Sequence, residues 1–392
     1  MVRMALGIPP VEVRRRRYQG CLSPHDAGGG GSLCGYGDYS TREDETMIGW
    51  SRRASVTVLC GWFTIFGLAC AVQIAAAQES ITESTESRPK FDLAIGTWIS
   101  TGDTRWAHDA SSVTGLGNPT SKLTYKDVGT NVIELTGKVW VTPKWFGRLN
   151  VGFAGIGGGR LIDDDYLAID GKDPSSRTHS DLTGDGMWYL NADLGRRIIE
   201  FPYSRGWLDL FAGYQYWHQR FTANGLGQVA CSNAGQTVDI DPGTPGTQSL
   251  CNPNQSVSSA IEVITNTASW HSIRVGGSTE YRLTRRFSVQ GTGALIPLSI
   301  IDNKDIHHLR NDFQQNPSIS MSGYGIGVDA DVGVRLMLIN KLFLNVGYRV
   351  WWNHAVDGTV TFHNLNSPAE EFPLAQFQSL RHGWTFGLNY TF

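Results

Sequence analysis

The last nine residues read Trp384-Thr385-Phe386-Gly387-Leu388-Asn389-Tyr390-Thr391-Phe392. Large apolar side chains occupy every second position, and small or polar ones lie between them. A strand points successive side chains to opposite faces, so this segment has one aromatic face and one polar or empty face. In a membrane barrel the apolar face meets lipid and the polar face lines the interior.

The same alternation recurs upstream. Residues 91–99, 132–141, 146–156, 187–199, 207–221, 261–283, 287–301, 318–338, 343–360 and 377–392 read as ten strands. Short connections fall at 142–145, 201–206, 284–286 and 339–342. Long polar ones fall at 102–130, 160–186, 222–260, 302–317 and 361–376. An even strand count with alternating short turns and long loops is the pattern of an outer-membrane barrel, its long loops outside the cell. A soluble β-sandwich would not alternate in this way. Charged residues make up 18% of the chain, below the roughly 25% usual for soluble proteins. The formal net charge of −3 gives no basic field for a nucleic-acid partner. The fold expected is all-β: a ten-stranded antiparallel transmembrane β-barrel over 91–392 with long extracellular loops, in the cell outer membrane of a Gram-negative bacterium. Its partners would be outer-membrane lipids and polypeptides at the cell surface.

The first 90 residues are set apart. Residues 47–77 carry Arg52-Arg53, an apolar run, and Ala75-Ala76-Ala77, which together read as a secretory signal peptide. The apolar run is also long enough for a membrane anchor, but the small-residue cleavage site favours a leader. Residues 1–46 read as an upstream mis-start or a disordered extension, and 78–90 as a short linker. Cys231 and Cys251 share one polar loop and are expected to form a disulfide.

Ten strands make too narrow a barrel for a general porin, since about sixteen or more are needed for an aqueous channel. Function then falls to the loops and strand tips. Two polar clusters stand there: Asp163-Asp164-Asp165 and Asp302-Asn303-Lys304-Asp305-Ile306-His307. Residues two apart share a strand face, so Asp163 pairs with Asp165 and Asp305 with His307. The clusters lie four strands apart out of ten and can face each other across the barrel mouth. Such a set can activate water, with His307 as base, Asp305 orienting it, and the two aspartates opposite. Nearby negative charge is expected to raise the His307 pKa. A solvated acidic run or a weak Ca²⁺ site is the simpler reading of an isolated Asp triplet.

These residues resemble the omptins, ten-stranded outer-membrane aspartate/histidine endopeptidases. Gly157 to Tyr166 is similar to the family's glycine-rich Asp-x-Asp segment, and Asp305-Ile306-His307 to its Asp-x-His segment. Ala212-Gly213-Tyr214-Gln215 and the ending GLNYTF also fit. The resemblance implies Asp163, Asp165, Asp305 and His307 as catalytic residues, with no metal, cofactor or covalent intermediate. It places Trp106 and Asn303 where members that cut dibasic sites carry acids, with Asp302 one place off, so an apolar or mixed cleavage preference is expected. It also implies a lipopolysaccharide site, and a dependence of activity on that lipid, at Tyr214, His218 and Arg220. Here Tyr216 and His218 replace the family's Glu and Arg. A catalytically silent barrel, acting as adhesin or receptor through its loops, is the alternative.

Overall fold

The computed structural model describes residues 91–113, 116–166, 174–232, 237–238, 248–249 and 251–392. The expected extension (1–46), signal peptide (47–77) and linker (78–90) lie outside the described residues. Among the described residues no helix is long and apolar enough to cross a membrane.

The described residues form one large antiparallel sheet and a separate strand pair. Its strands are β1 (Phe91–His108), β2 (Ser121–Trp140), β3 (Trp145–Ala154), β4 (Ile156–Asp165), β5 (Ser176–Phe201), β6 (Gly206–Cys231), β9 (Ser256–Arg282), β10 (Phe287–His307), β11 (Ile319–Ile339), β12 (Leu342–Phe362) and β13 (Glu370–Thr391). Two short strands, β7 (Thr237–Val238) and β8 (Gln248–Ser249), pair separately in the β6–β9 connection. The large sheet closes because β1 pairs with both β2 and β13. The sheet has eleven segments, but β3 and β4 are separated only by Gly155, and both lie between β2 and β5. The ring therefore has ten staves, and the expected barrel is the observed one.

Most staves run further than the sequence pattern indicated. β1 continues to His108, β2 begins at Ser121, β5 at Ser176, and β10 reaches His307. The reason is a change of surroundings along the barrel wall. Up to Ile99 on β1 and Ile300 on β10 the outward residues are mostly apolar, among them the exposed Leu93, Ile95, Ile99, Leu295, Leu298 and Ile300. Beyond them the outward positions turn polar, with Asp103 and Arg105 on β1 and Asp302 and Lys304 on β10. The inward positions stay buried or half-buried throughout. The alternation therefore persists structurally after the apolar signal has gone. A membrane-spanning strand needs about 9–11 residues, so these staves of 18–27 residues project well above the apolar band.

Within the band the interior is filled by ion pairs. Arg349 Nη1 donates to Glu134 at 2.7 Å and its Nε to Asp331 at 3.0 Å. Arg148 and Arg274 pair with Asp193, and Arg274 also with Asp329. Lys138 and Arg197 pair with Asp209, and Arg335 with Glu280. Buried charges of one sign would be prohibitively desolvated, whereas paired ones persist. Adjoining this network is a layer of aromatic rings, with Trp351 packed edge-on against Trp98 (5.0 Å), Tyr189 (4.7 Å) and Trp217 (5.7 Å). Packed rings and ion pairs occupy the centre of the barrel, which leaves the chemistry to the mouth.

Candidate active site at the barrel mouth

Asp163 is brought inward by a local distortion. Gly158 and Gly159 take φ of +140° and +144°, values that L side chains rarely adopt. A Cβ on Gly159 would lie 2.9 Å from the Lys126 carbonyl oxygen. The β2–β4 register shifts at this point, between Lys126 and Gly129. Above the shift Asp163 pairs with buried Leu123 and so faces the interior. Asp164 faces outward, where Arg177 Nε donates to it at 2.6 Å. Asp165 stands exposed at the rim.

On β10 the inward residues are Ile301, Asn303, Asp305 and His307. β4 and β10 lie four staves apart in the ring of ten, so the two clusters do face each other. Asp305 is fully buried. Its Oδ1 accepts from Asn266 Nδ2, while its Oδ2 has no partner among the described residues. Burial pushes its carboxyl up to about 8, opposed by the Asn266 amide and the Trp106 N–H. Asp163 is likewise held well above the usual carboxylate range, by burial and then by the charges of Asp165, Asp164 and Asp305.

His307 departs from expectation. Asp305 does not hydrogen-bond to it: its Nε2 is buried without a partner, and its backbone N–H donates to Ser318 Oγ at 3.0 Å. Its pKa is not raised but lowered to about 3, by burial and then by Arg310, with Asp312 opposing. The negative charge nearby is too weak to offset the loss of solvent around the ring. His307 therefore stays neutral, beside Phe313 at 6.4 Å.

The expected pocket residues also need correction. Trp106 is 1% exposed and belongs to the hydrophobic core, so it is not an open pocket wall. Its N–H favours the charged form of Asp305 but completes a well-formed hydrogen bond to nothing. Asn303 is fully buried and accepts from Asn266 at 3.1 Å. Asp302 points out of the barrel and cannot serve an interior pocket.

Tyr214, His218 and Arg220 lie on the outer face of β6, since Gln215, Trp217 and Gln219 are the buried inward set. Tyr214 Oη meets His271 Nδ1 at 2.7 Å, and His218 Nδ1 meets Ser269 Oγ at 2.9 Å. Arg220 lines an outer-wall cavity of about 1120 Å³ with Thr267, His308 and Arg310. Cys231 and Cys251 are disulfide-bonded as expected. Among the described residues no group of His, Cys, Asp and Glu could hold a metal ion.

Two residues missed in the sequence complete the site. Asn266 on β9 donates to Asp305 and Asn303. Tyr125 on β2 is fully buried, stacked on Phe221 at 4.9 Å, and its Oη has no partner among the described residues. Burial raises its pKa well above the ordinary value, and the charges of Asp305 and Asp163 raise it further. Its inward parity with Leu123 was the available signal, hidden because 102–130 read as a loop.

A closed ring of ten staves with an apolar outer band and buried polar groups at one end defines an outer-membrane β-barrel. The chain belongs to the Protochlamydia outer membrane protein family, whose pattern matches residues 101–390. The structure is similar to the outer membrane protease OmpT from Escherichia coli, at 16% identity and a TM-score of 0.56, covering 81% of this chain and all of that one. Lower similarity extends to the translocator domain of the autotransporter NalP from Neisseria meningitidis (8% identity, 78% of this chain and 90% of that one, TM-score 0.31). The outer membrane protein OprG from Pseudomonas aeruginosa is comparable (9% identity, 76% and 97%, TM-score 0.29). No curated protein sequence matches the chain. At these identities the likeness is one of fold. The protein resides in the outer membrane.

Proposed function

We propose that the barrel is an omptin-like endopeptidase that hydrolyses peptide bonds at its long-loop, extracellular mouth. One observation carries this reading. Trp106 Nε1, Tyr125 Oη, Asp163 Oδ1, Asp305 Oδ2 and His307 Nε2 are all buried without a hydrogen-bond partner among the described residues. A buried polar group left unpaired costs about 1–3 kcal/mol, so such a cluster is kept for a purpose. Donors and acceptors together suit a water molecule and a polar substrate.

The perturbed carboxyls assign the roles. Ionised Asp305 takes a proton from water as the water oxygen adds to the scissile carbonyl carbon. Protonated Asp163 gives its proton to the amide nitrogen as the C–N bond breaks, and the carboxyls then exchange a proton through solvent. A base with its pKa near 8 suits this step better than an imidazole held near 3. His307 stays neutral at the mouth and Asp165 lies at the rim, where each would contact the peptide. Tyr214, His218 and Arg220 face the outer leaflet, where lipopolysaccharide phosphates would meet them.

An adhesin or receptor barrel is the second reading. The unpaired His307 and the long disulfide-bridged β6–β9 connection favour it. Digestion of a peptide library by the purified barrel, with Asp305→Asn and His307→Ala as controls, separates the two. Cleavage lost in Asp305→Asn supports the peptidase; no cleavage by any of the three proteins supports the receptor.

A further inference from the structure

We propose that Tyr125 is the positioning residue that joins the two carboxylates and holds the attacking water between them. The inference rests on the peptidase reading and adds a residue that the Asp and His motifs do not contain.

Tyr125 comes from β2, Asp163 from its sheet neighbour β4 and Asp305 from β10 across the ring, all at inward-facing positions. The ring is fixed from below by its stack on Phe221, at 4.9 Å and 21° between planes. Across the strands Tyr125 pairs with Leu161 on β4 and Thr104 on β1, both buried. A phenol so confined cannot turn its hydroxyl to solvent. The hydroxyl completes no hydrogen bond among the described residues, and neither do Asp163 Oδ1 and Asp305 Oδ2, while the Trp106 N–H bears on the hydroxyl. The charges of both carboxylates bear on it.

One donor between two acceptors cannot satisfy both, but one donor and one water can. The Tyr125 O–H donates to Asp163 Oδ1. Its oxygen accepts one hydrogen of the water, whose other hydrogen points to Asp305 Oδ2. The water is then held by the phenol and the base, and a lone pair remains for the carbonyl carbon at the mouth. The Trp106 N–H stands on the β1 side of the same point and limits where the water can sit.

Other charged groups surround the site. Asp165 and Asp164 on β4 bear on Asp163, Arg310 and Asp312 from the loop after β10 bear on His307, and Asn266 and Trp106 are neutral. Arg310 and Asp312 pair with each other. His307 stays neutral over the working range. The Asp163–Asp305 pair is thus the set whose titration Tyr125 governs.

The test is Tyr125→Phe, which removes the hydroxyl and keeps the stacked ring. Rates on a quenched fluorescent peptide are measured from pH 5 to 9, and folding is checked by mobility of the unheated barrel in a detergent gel. The expected result is a kcat lower by about 10²-fold with KM within about twofold, in the range of a lost positioning group. The rising limb should also move to higher pH, because the pair loses a donor that favours its ionised form. An infrared titration of the carboxyl C=O band reads the same shift without turnover, and remains usable whatever the activity. Wild-type kcat and an unmoved carboxyl midpoint in Tyr125→Phe, with Asp305→Asn inactive, overturns the Tyr125 role alone. Full cleavage by Asp305→Asn overturns Asp305 as the base and the water-holding role with it, and no cleavage by wild type overturns the peptidase reading.

Discussion

Asp305 and His307 share the inward face of β10, two residues apart, yet Asp305 accepts its hydrogen bond from Asn266 and not from His307. Sharing a strand face gives proximity but not pairing, because two side chains leaving one strand in parallel need not turn toward each other. Asn266, directly opposite Asp305 in the β9–β10 register, meets it head-on.

The first consequence concerns pH. With Asp305 as base and its pKa near 8, kcat should rise with pH and level off above about 8. Removing the Asn266 donor, which favours the carboxylate, should move that limb upward in Asn266→Ala. A limb near pH 6.5 instead would return the base role to a solvated imidazole.

The same carboxyl bears on stability. In the folded barrel Asp305 keeps its proton to about pH 8, while in the unfolded chain it ionises above its ordinary value of 3.8. Folding between those values takes up a proton, so Asp305 weakens the fold as pH rises, by about 1.4 kcal/mol per unit. Asp305→Asn should therefore resist urea better than wild type at pH 8 and match it near pH 4. Equal unfolding midpoints at both pH values would mean that the buried carboxyl carries no such shift.

Trp106 was expected to set the cleavage preference, and its burial changes the forecast for Trp106→Glu. The substitution puts a third carboxylate beside Asp163 and Asp305 in a closed core. It should cost on the order of 3–5 kcal/mol, as other unpaired buried charges do, and lower the yield of folded barrel. A well-folded variant with a new taste for Arg and Lys would show that the position opens to substrate.

The ion pairs of the interior predict electrical silence. Lys138, Arg148, Arg197, Arg274, Arg335 and Arg349 each have a carboxylate partner. Planar-bilayer recordings of the purified barrel should show no regular conductance steps. Discrete steps with wild-type protein would require an open path past the Trp351 layer.

The barrel was legible because its signal is repeated: ten apolar outer faces, short turns between alternate pairs, and an aromatic last strand. The site was legible only where it lies in charged motifs. Asp163, Asp305 and His307 announce themselves by composition and period. Tyr125 and Trp106 do not, since they sit where polar outward neighbours such as Lys122, Lys126 and Arg105 erase the membrane pattern. Parity along an extended strand would have placed them inside, had the strand been seen to continue. The partner of Asp305 lies on another stave, and cross-strand register is not written in either strand alone.

The direct measurement is peptide cleavage by the purified, refolded barrel at pH 8, wild type against Asp305→Asn, both migrating as folded species. The account predicts multiple turnovers by wild type and a loss of at least about 10²-fold in the variant, the scale of a general base. Equal cleavage by the two proteins, or none by either, would contradict it.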